Sequence, residues 1–160
     1  MPLETVQDIS DGGPRPISVV GTGYVGLVTA LAFAHHGHKV TCVDIVPERV
    51  VAVSSGRPPF YEPGVEQALR TALARGLVAA TSDTRATVEA TEVTFLCVGT
   101  PSRADGSYDL DQLLSAARDV GAAIGGLERH HLVVTKSTVT PTVNRRRVLP
   151  ELVSASGGSC

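Results

Sequence analysis

Residues 17–26 constrain this chain more than any other stretch. They read IleSerValVal and then GlyThrGlyTyrValGly, four β-prone residues running into Gly21-x-Gly23-x-x-Gly26, with a small-residue helical pattern directly after. A buried strand, a tight glycine turn and a helix N-terminus in that order form a phosphate-binding device. Gly21 permits the turn, Gly23 lets the backbone approach a diphosphate, and Gly26 lets helix and strand pack closely. The helix start offers unpaired N–H groups and the positive end of its dipole.

A second strand pattern over 39–43 ends in Asp44, 18 residues beyond Gly26. An acid at that strand tip accepts hydrogen bonds from both hydroxyls of an adenosine ribose and repels a 2′-phosphate, so the unit predicts NAD rather than NADP. A bare GxGxxG is weak evidence. A strand before it, a helix after it and an acid at the next strand tip make it strong.

The remaining chain repeats the alternation. Helices are expected over 24–36, 48–54, 65–74, from the Asp83 cap to about 90, over 110–124 and over 141–152. Strands are expected over 77–81, 93–98 and 131–135. Five β elements separated by helices predict a doubly wound parallel sheet of the Rossmann dinucleotide-binding type. The domain is expected over 17–153, with a mobile leader over 1–16 and a flexible tail over 154–160.

Composition narrows the partners. Hydrophobic residues make up 42% and charged residues 19%, with a net charge of −2, an ordinary globular balance with no call for nucleic acid or a membrane surface. ArgArgArg at 145–147 reads as a solvated helix face. No stretch approaches the roughly 20 apolar residues of a membrane span, and no signal core is visible, so a cytoplasmic protein is expected. The three cysteines, at 42, 97 and 160, lack metal or disulfide spacing. His35, His36 and His38 suit a helix C-terminus, and no metal is expected.

Four stretches together resemble one family: GlyThrGlyTyrValGlyLeu (21–27), ProProPheTyrGluProGly (58–64), CysValGlyThrProSer (97–102) and LysSerThrVal (136–139). In this order and spacing they resemble the NAD-binding domain of the UDP-glucose/GDP-mannose dehydrogenase family, and the TyrGluProGly loop draws the likeness toward its UDP-glucose members. The resemblance implies oxidation of a sugar C6 alcohol to a carboxylate by two hydride transfers to NAD, the aldehyde stage being held on a cysteine as a thiohemiacetal, which becomes a thioester and is hydrolysed. It also implies roles for residues here. Gly21, Thr22, Gly23, Tyr24, Val25 and Gly26 form the diphosphate turn. Asp44 takes the ribose, and Arg49 packs over the adenosine side. Val98, Gly99, Thr100, Pro101 and Ser102 line the path to the nicotinamide ribose. Ser137 and Thr138 lie beside the nicotinamide, where Thr138 helps to hold a catalytic water; Lys136 shares a strand face with Thr138.

The likeness also has edges. In the family a sixth parallel strand with an AsnProGluPhe-type motif follows, then a dimer-forming helix and a sugar-binding domain with lysine, asparagine and a nucleophilic cysteine. None stands in these 160 residues. The sheet is therefore expected to be truncated before its sixth strand, and the isolated chain to lack catalysis. A UDP-sugar partner is expected only if the missing part is supplied. An exposed 131–135 edge is expected to self-associate or to be covered by residues 152–160 or by another chain. Thr142 also stands where the family usually has glycine. Two alternatives stay open: a non-catalytic NAD-binding or interaction module, and the cofactor domain of another NAD-dependent dehydrogenase family.

Overall fold

A computed structural model describes residues 13–158. The expected leader up to residue 12, and Cys160, lie outside the described residues.

Five strands form one all-parallel sheet in the order β3-β2-β1-β4-β5. They are β1 (Ile17–Val20), β2 (Val40–Val43), β3 (Val78–Thr81), β4 (Val93–Leu96) and β5 (Leu132–Thr135). The crossovers carry α1 (Tyr24–His35), α2 (Pro47–Ser54), α3 (Val65–Ala74), α4 (Thr84–Glu89) and α5 (Asp111–Ile124). A π-helical turn, Asn144–Val148, then leads into α6 (Leu149–Ala155). This is the doubly wound fold that the alternation of elements predicts.

Period-two alternation sorts the strand side chains onto two cores. Val19 and Cys42 face α1 and α3 beside Leu27, Leu31 and Leu69, whereas Val20 and Val43 face α4, α5 and α6 beside Val88, Leu113 and Leu152. A sheet covered on both faces needs apolar residues at successive positions, which is why β1 is buried throughout. One polar line interrupts the second core. The Ser18 and Thr94 hydroxyls lie 2.6 Å apart, Thr94 Oγ1 lies 2.7 Å from His131 Nε2, and Thr91 Oγ1 donates to Ser18 Oγ at 3.2 Å.

Local signals end the elements where the sequence places them. Asp83 accepts from the Ala86 N–H at 2.9 Å and caps α4, and Gly37, Gly56 and Gly76 take positive φ just beyond α1, α2 and α3.

The last helix differs from expectation. Pro150 has no N–H and its ring crowds the preceding turn, so the chain widens into a π-helical turn in which the Leu149 N–H reaches Asn144 O. The helix then continues past Leu152 to Ala155, and Ser156 is buried. Residues 154–156, expected in an unpacked tail, thus close the α5 face. Gly121 and Gly125 admit them: a Cβ on either would stand 2.7 Å from the Leu152 or Ser156 carbonyl oxygen. Residues 152–156 lie against α5 and not along β5, which among the described residues pairs with β4 alone and leaves Leu132 60% exposed.

Candidate functional site

The sheet's C-terminal edge gathers the residues singled out in the sequence at three loops. The first is the β1–α1 turn, where three glycines answer to different demands. Gly21 has φ +98°, and a Cβ there would meet Cys97 O at 2.9 Å. A Cβ on Gly26 would sit 1.8 Å from Gly21 O and 3.2 Å from Cys97 Cβ, so only hydrogen fits. Gly23 is otherwise: its φ is −67° and a Cβ would meet nothing within 4 Å. Nothing in the described protein requires glycine at 23, so the constraint fits a group that approaches from outside.

Gly23 is also the N-cap of α1, which has no side-chain cap and no acid in its first turn. The first N–H groups of the helix stay open to a ligand and carry the positive dipole end. Tyr24 and Val25 stand exposed at this end. The Tyr24 ring meets Phe60 edge-on at 5.2 Å, which brings the ProProPheTyrGluProGly loop alongside the turn.

The second loop follows β2. Asp44 is only 4% exposed, and its carboxylate is held by the chain itself. Oδ2 accepts from the Thr22 N–H at 2.8 Å and the Thr22 hydroxyl at 2.5 Å, Oδ1 accepts from the Val46 N–H at 3.0 Å, and Arg49 Nη1 lies 3.6 Å from Oδ2. Burial pushes this carboxyl up, but the Thr22 and Val46 donors and the Arg49 guanidinium outweigh it and hold it below the ordinary aspartate value. Asp44 is therefore charged at neutral pH, with Oδ1 retaining acceptor capacity. Thr22 is fully buried and both its donors go to Asp44, so it shapes the acid instead of facing a ligand. That role was not legible beforehand, although a hydroxyl between two glycines was its signal.

The third cluster joins the loops after β4 and β5. Ser137 Oγ donates to Val98 O and Thr100 Oγ1 donates to Thr138 O, both at 2.7 Å, and the Lys136 and Ser137 N–H groups both reach Leu96 O. Gly99 lies against the Gln112 side chain, and Pro101 and Ser102 are exposed, Ser102 pairing with Tyr108 in an isolated antiparallel bridge. Thr138 is exposed, and its hydroxyl takes no partner among the described residues.

A profile of the UDP-glucose/GDP-mannose dehydrogenase family, NAD binding domain, matches residues 15–158. The chain belongs to this family. This NAD-binding domain is 37% identical over 141 residues to the GDP-mannose 6-dehydrogenase of Pseudomonas syringae pv. tomato, covering 88% of the chain and 32% of that protein. It is 42% identical over 124 residues to the UDP-glucose 6-dehydrogenase of Rhizobium meliloti, covering 77% of the chain and 28% of that protein. Among solved structures, a UDP-glucose dehydrogenase from Pyrobaculum islandicum superposes with a TM-score of 0.88 at 42% identity, covering 92% of this chain and 34% of that one. The chain thus spans about a third of the length of these relatives.

Cys42 and Cys97 are free and buried, and burial first of all pushes their thiols up to about 12 and about 11, so neither is a thiolate at neutral pH. Among the described residues no group of three histidine, cysteine or acidic side chains is placed to hold a metal, and no helix is long and apolar enough to cross a membrane.

Proposed function

We propose that this chain is the cofactor half of a UDP-sugar 6-dehydrogenase, with UDP-glucose as the sugar nucleotide, and that it takes NAD across the C-terminal edge of its sheet. The observation that carries the placement is the pairing of an open Gly23 and uncapped α1 with a buried, charged Asp44 at the next strand tip. The diphosphate would lie against the N–H groups at 23–26, with Tyr24 and Val25 flanking it. Asp44 would accept from the adenosine ribose, and Arg49 would cover that side. The nicotinamide half then extends over β4 and β5, past residues 98–102 toward Ser137 and Thr138. NAD supplies the hydride acceptor, once for alcohol to aldehyde and once for aldehyde to acyl level.

UDP-glucose as substrate is supported by the TyrGluProGly loop and by the 42% identities to proteins named for it. GDP-mannose is the second reading, because several relatives, the Pseudomonas syringae protein among them, are named for that substrate. The chain's own part would be to bind and orient; Thr138, exposed and with its hydroxyl open, would orient a water. No described thiol is fit for attack, so the covalent stage and the sugar contacts would come from residues beyond those described. The exposed β5 edge is the surface a further strand, or a second copy, would pair with. A reducing, cytoplasmic setting agrees with the free thiols of Cys42 and Cys97.

Calorimetric titration of wild type and Asp44→Ala with NAD and NADP tests the placement. Wild type should prefer NAD, and the variant should lose roughly 1.5–3 kcal/mol of NAD binding, as for hydrogen bonds to a charged group. Equal affinity of wild type for the two cofactors would refute it.

A further inference from the structure

Among the described residues Thr142 is the sole non-glycine with positive φ, at 78°. A β-branched side chain crowds its own backbone in the left-handed region, and such a conformation persists only where the surroundings over-determine it. Both sides of Thr142 are pinned. Upstream, Ser137 and Thr100 tie the loop to the β4 end through Val98 O and Thr138 O, each at 2.7 Å. Downstream, Thr142 O accepts from the Arg146 N–H at 2.9 Å, and Val148 and Leu152 are buried against α5. The residue is the link that lets a loop clamped to β4 feed a helix clamped to α5.

We propose that Thr142 is a positioning residue for the nicotinamide half of NAD, acting through the 137–142 loop; this rests on the cofactor placement given above. The Thr100–Thr138 bond closes the loop over the end of the sheet where that half would lie. Strain at Thr142 works against the closed loop, because the exposed Thr100–Thr138 bond is worth no more than the left-handed conformation costs. The free chain therefore divides its time between clamped and relaxed loops, and a ligand that needs the clamped one binds more weakly by the fraction in which it is present. A ligand that stops at the diphosphate does not meet the loop and is indifferent to residue 142.

Titration of wild type, Thr142→Gly and Thr142→Val with NAD and with ADP, which carries the adenosine and diphosphate alone, separates these effects. Thr142→Gly should tighten NAD roughly five- to tenfold with ADP unchanged. Thr142→Val, which keeps the β-branch and loses the hydroxyl, should match wild type. An unchanged NAD affinity in Thr142→Gly overturns the inference. So does a parallel shift of NAD and ADP, or a Val variant that tightens like the Gly variant. Wild type that binds ADP and NAD with Asp44-independent affinity would instead overturn the cofactor placement.

Discussion

At the β1–α1–β2 corner the chain has closed every gap it can, and at the β4–β5 corner it has left loops standing in solvent. In the first, Gly26 would place a Cβ 1.8 Å from Gly21 O, and Asp44 is buried under three hydrogen bonds from Thr22 and Val46. In the second, Pro101, Ser102 and Thr138 are exposed, and side-chain bonds from Ser137 and Thr100 hold the loops together against the strain at Thr142. The contrast teaches which half of the edge is set by the fold. The rigid corner presents fixed dipoles and a fixed charge. The open corner leaves its side chains facing solvent.

The largest effect expected from breaking this contrast is at Gly26. Gly26→Ala forces the helix off the turn, and the loss of stability should reach ~3 kcal/mol, the upper end for overpacking, as read by urea unfolding. A loss below about 1 kcal/mol would mean that the corner is looser than described.

A smaller loss is expected from Gly121→Ala, whose Cβ would press on Leu152 O at 2.7 Å. The α5–α6 contact has a helix end beside it that can shift, so about 1–2 kcal/mol should be lost in the same assay. Deletion of residues 149–158 should cost more than this substitution, since it removes buried Leu152 and Ser156 from the α5 face. If the deletion proved neutral, α6 would not be part of the core.

The smallest effect concerns the base of the sheet below the open corner. Burial, and then Arg129, hold His131 below the ordinary histidine value, against a weaker upward pull from a hydrogen bond with the Thr91 backbone. The unfolded chain takes up this proton first, so stability is fully present above about pH 6.5 and falls as the pH drops from there toward the lower folded value. His131→Gln should flatten this slope by a fraction of a kcal/mol in urea midpoints taken between pH 7 and 5. An unchanged slope would assign it to other groups.

The rigid corner was legible in the sequence because its signals are local. The glycines at 21, 23 and 26, the acid at 44 and the Asp83 cap are each read from a short stretch, although Gly21 also packs against Cys97 and Asp44 also binds Thr22, and the strands around them follow period two. The 65–74 helix matches α3 at both ends for the same reason. The open corner was not legible in the same way. Thr100 and Thr138 meet across 38 positions, and α6 extends past Leu152 because of glycines in α5, a pairing that no window of sequence shows. Pro150 lies inside the helix expected over 141–152, and the π-helical turn before it depends on how Val148 and Leu152 are anchored. Thr142 kept the backbone of the glycine expected there, since its neighbours on both sides fix the path.

The central claim is that Gly23 is glycine for the cofactor and Gly26 is glycine for the fold. Gly23→Ala, followed by urea unfolding and by calorimetric titration with NAD, tests it most directly. Stability should stay within about 0.5 kcal/mol of wild type, as for a substitution that meets no neighbour. NAD affinity should fall at least about tenfold, because the added methyl stands where the diphosphate must approach the backbone. A Gly23→Ala chain that binds NAD as wild type does, or that unfolds as readily as Gly26→Ala, would contradict the account.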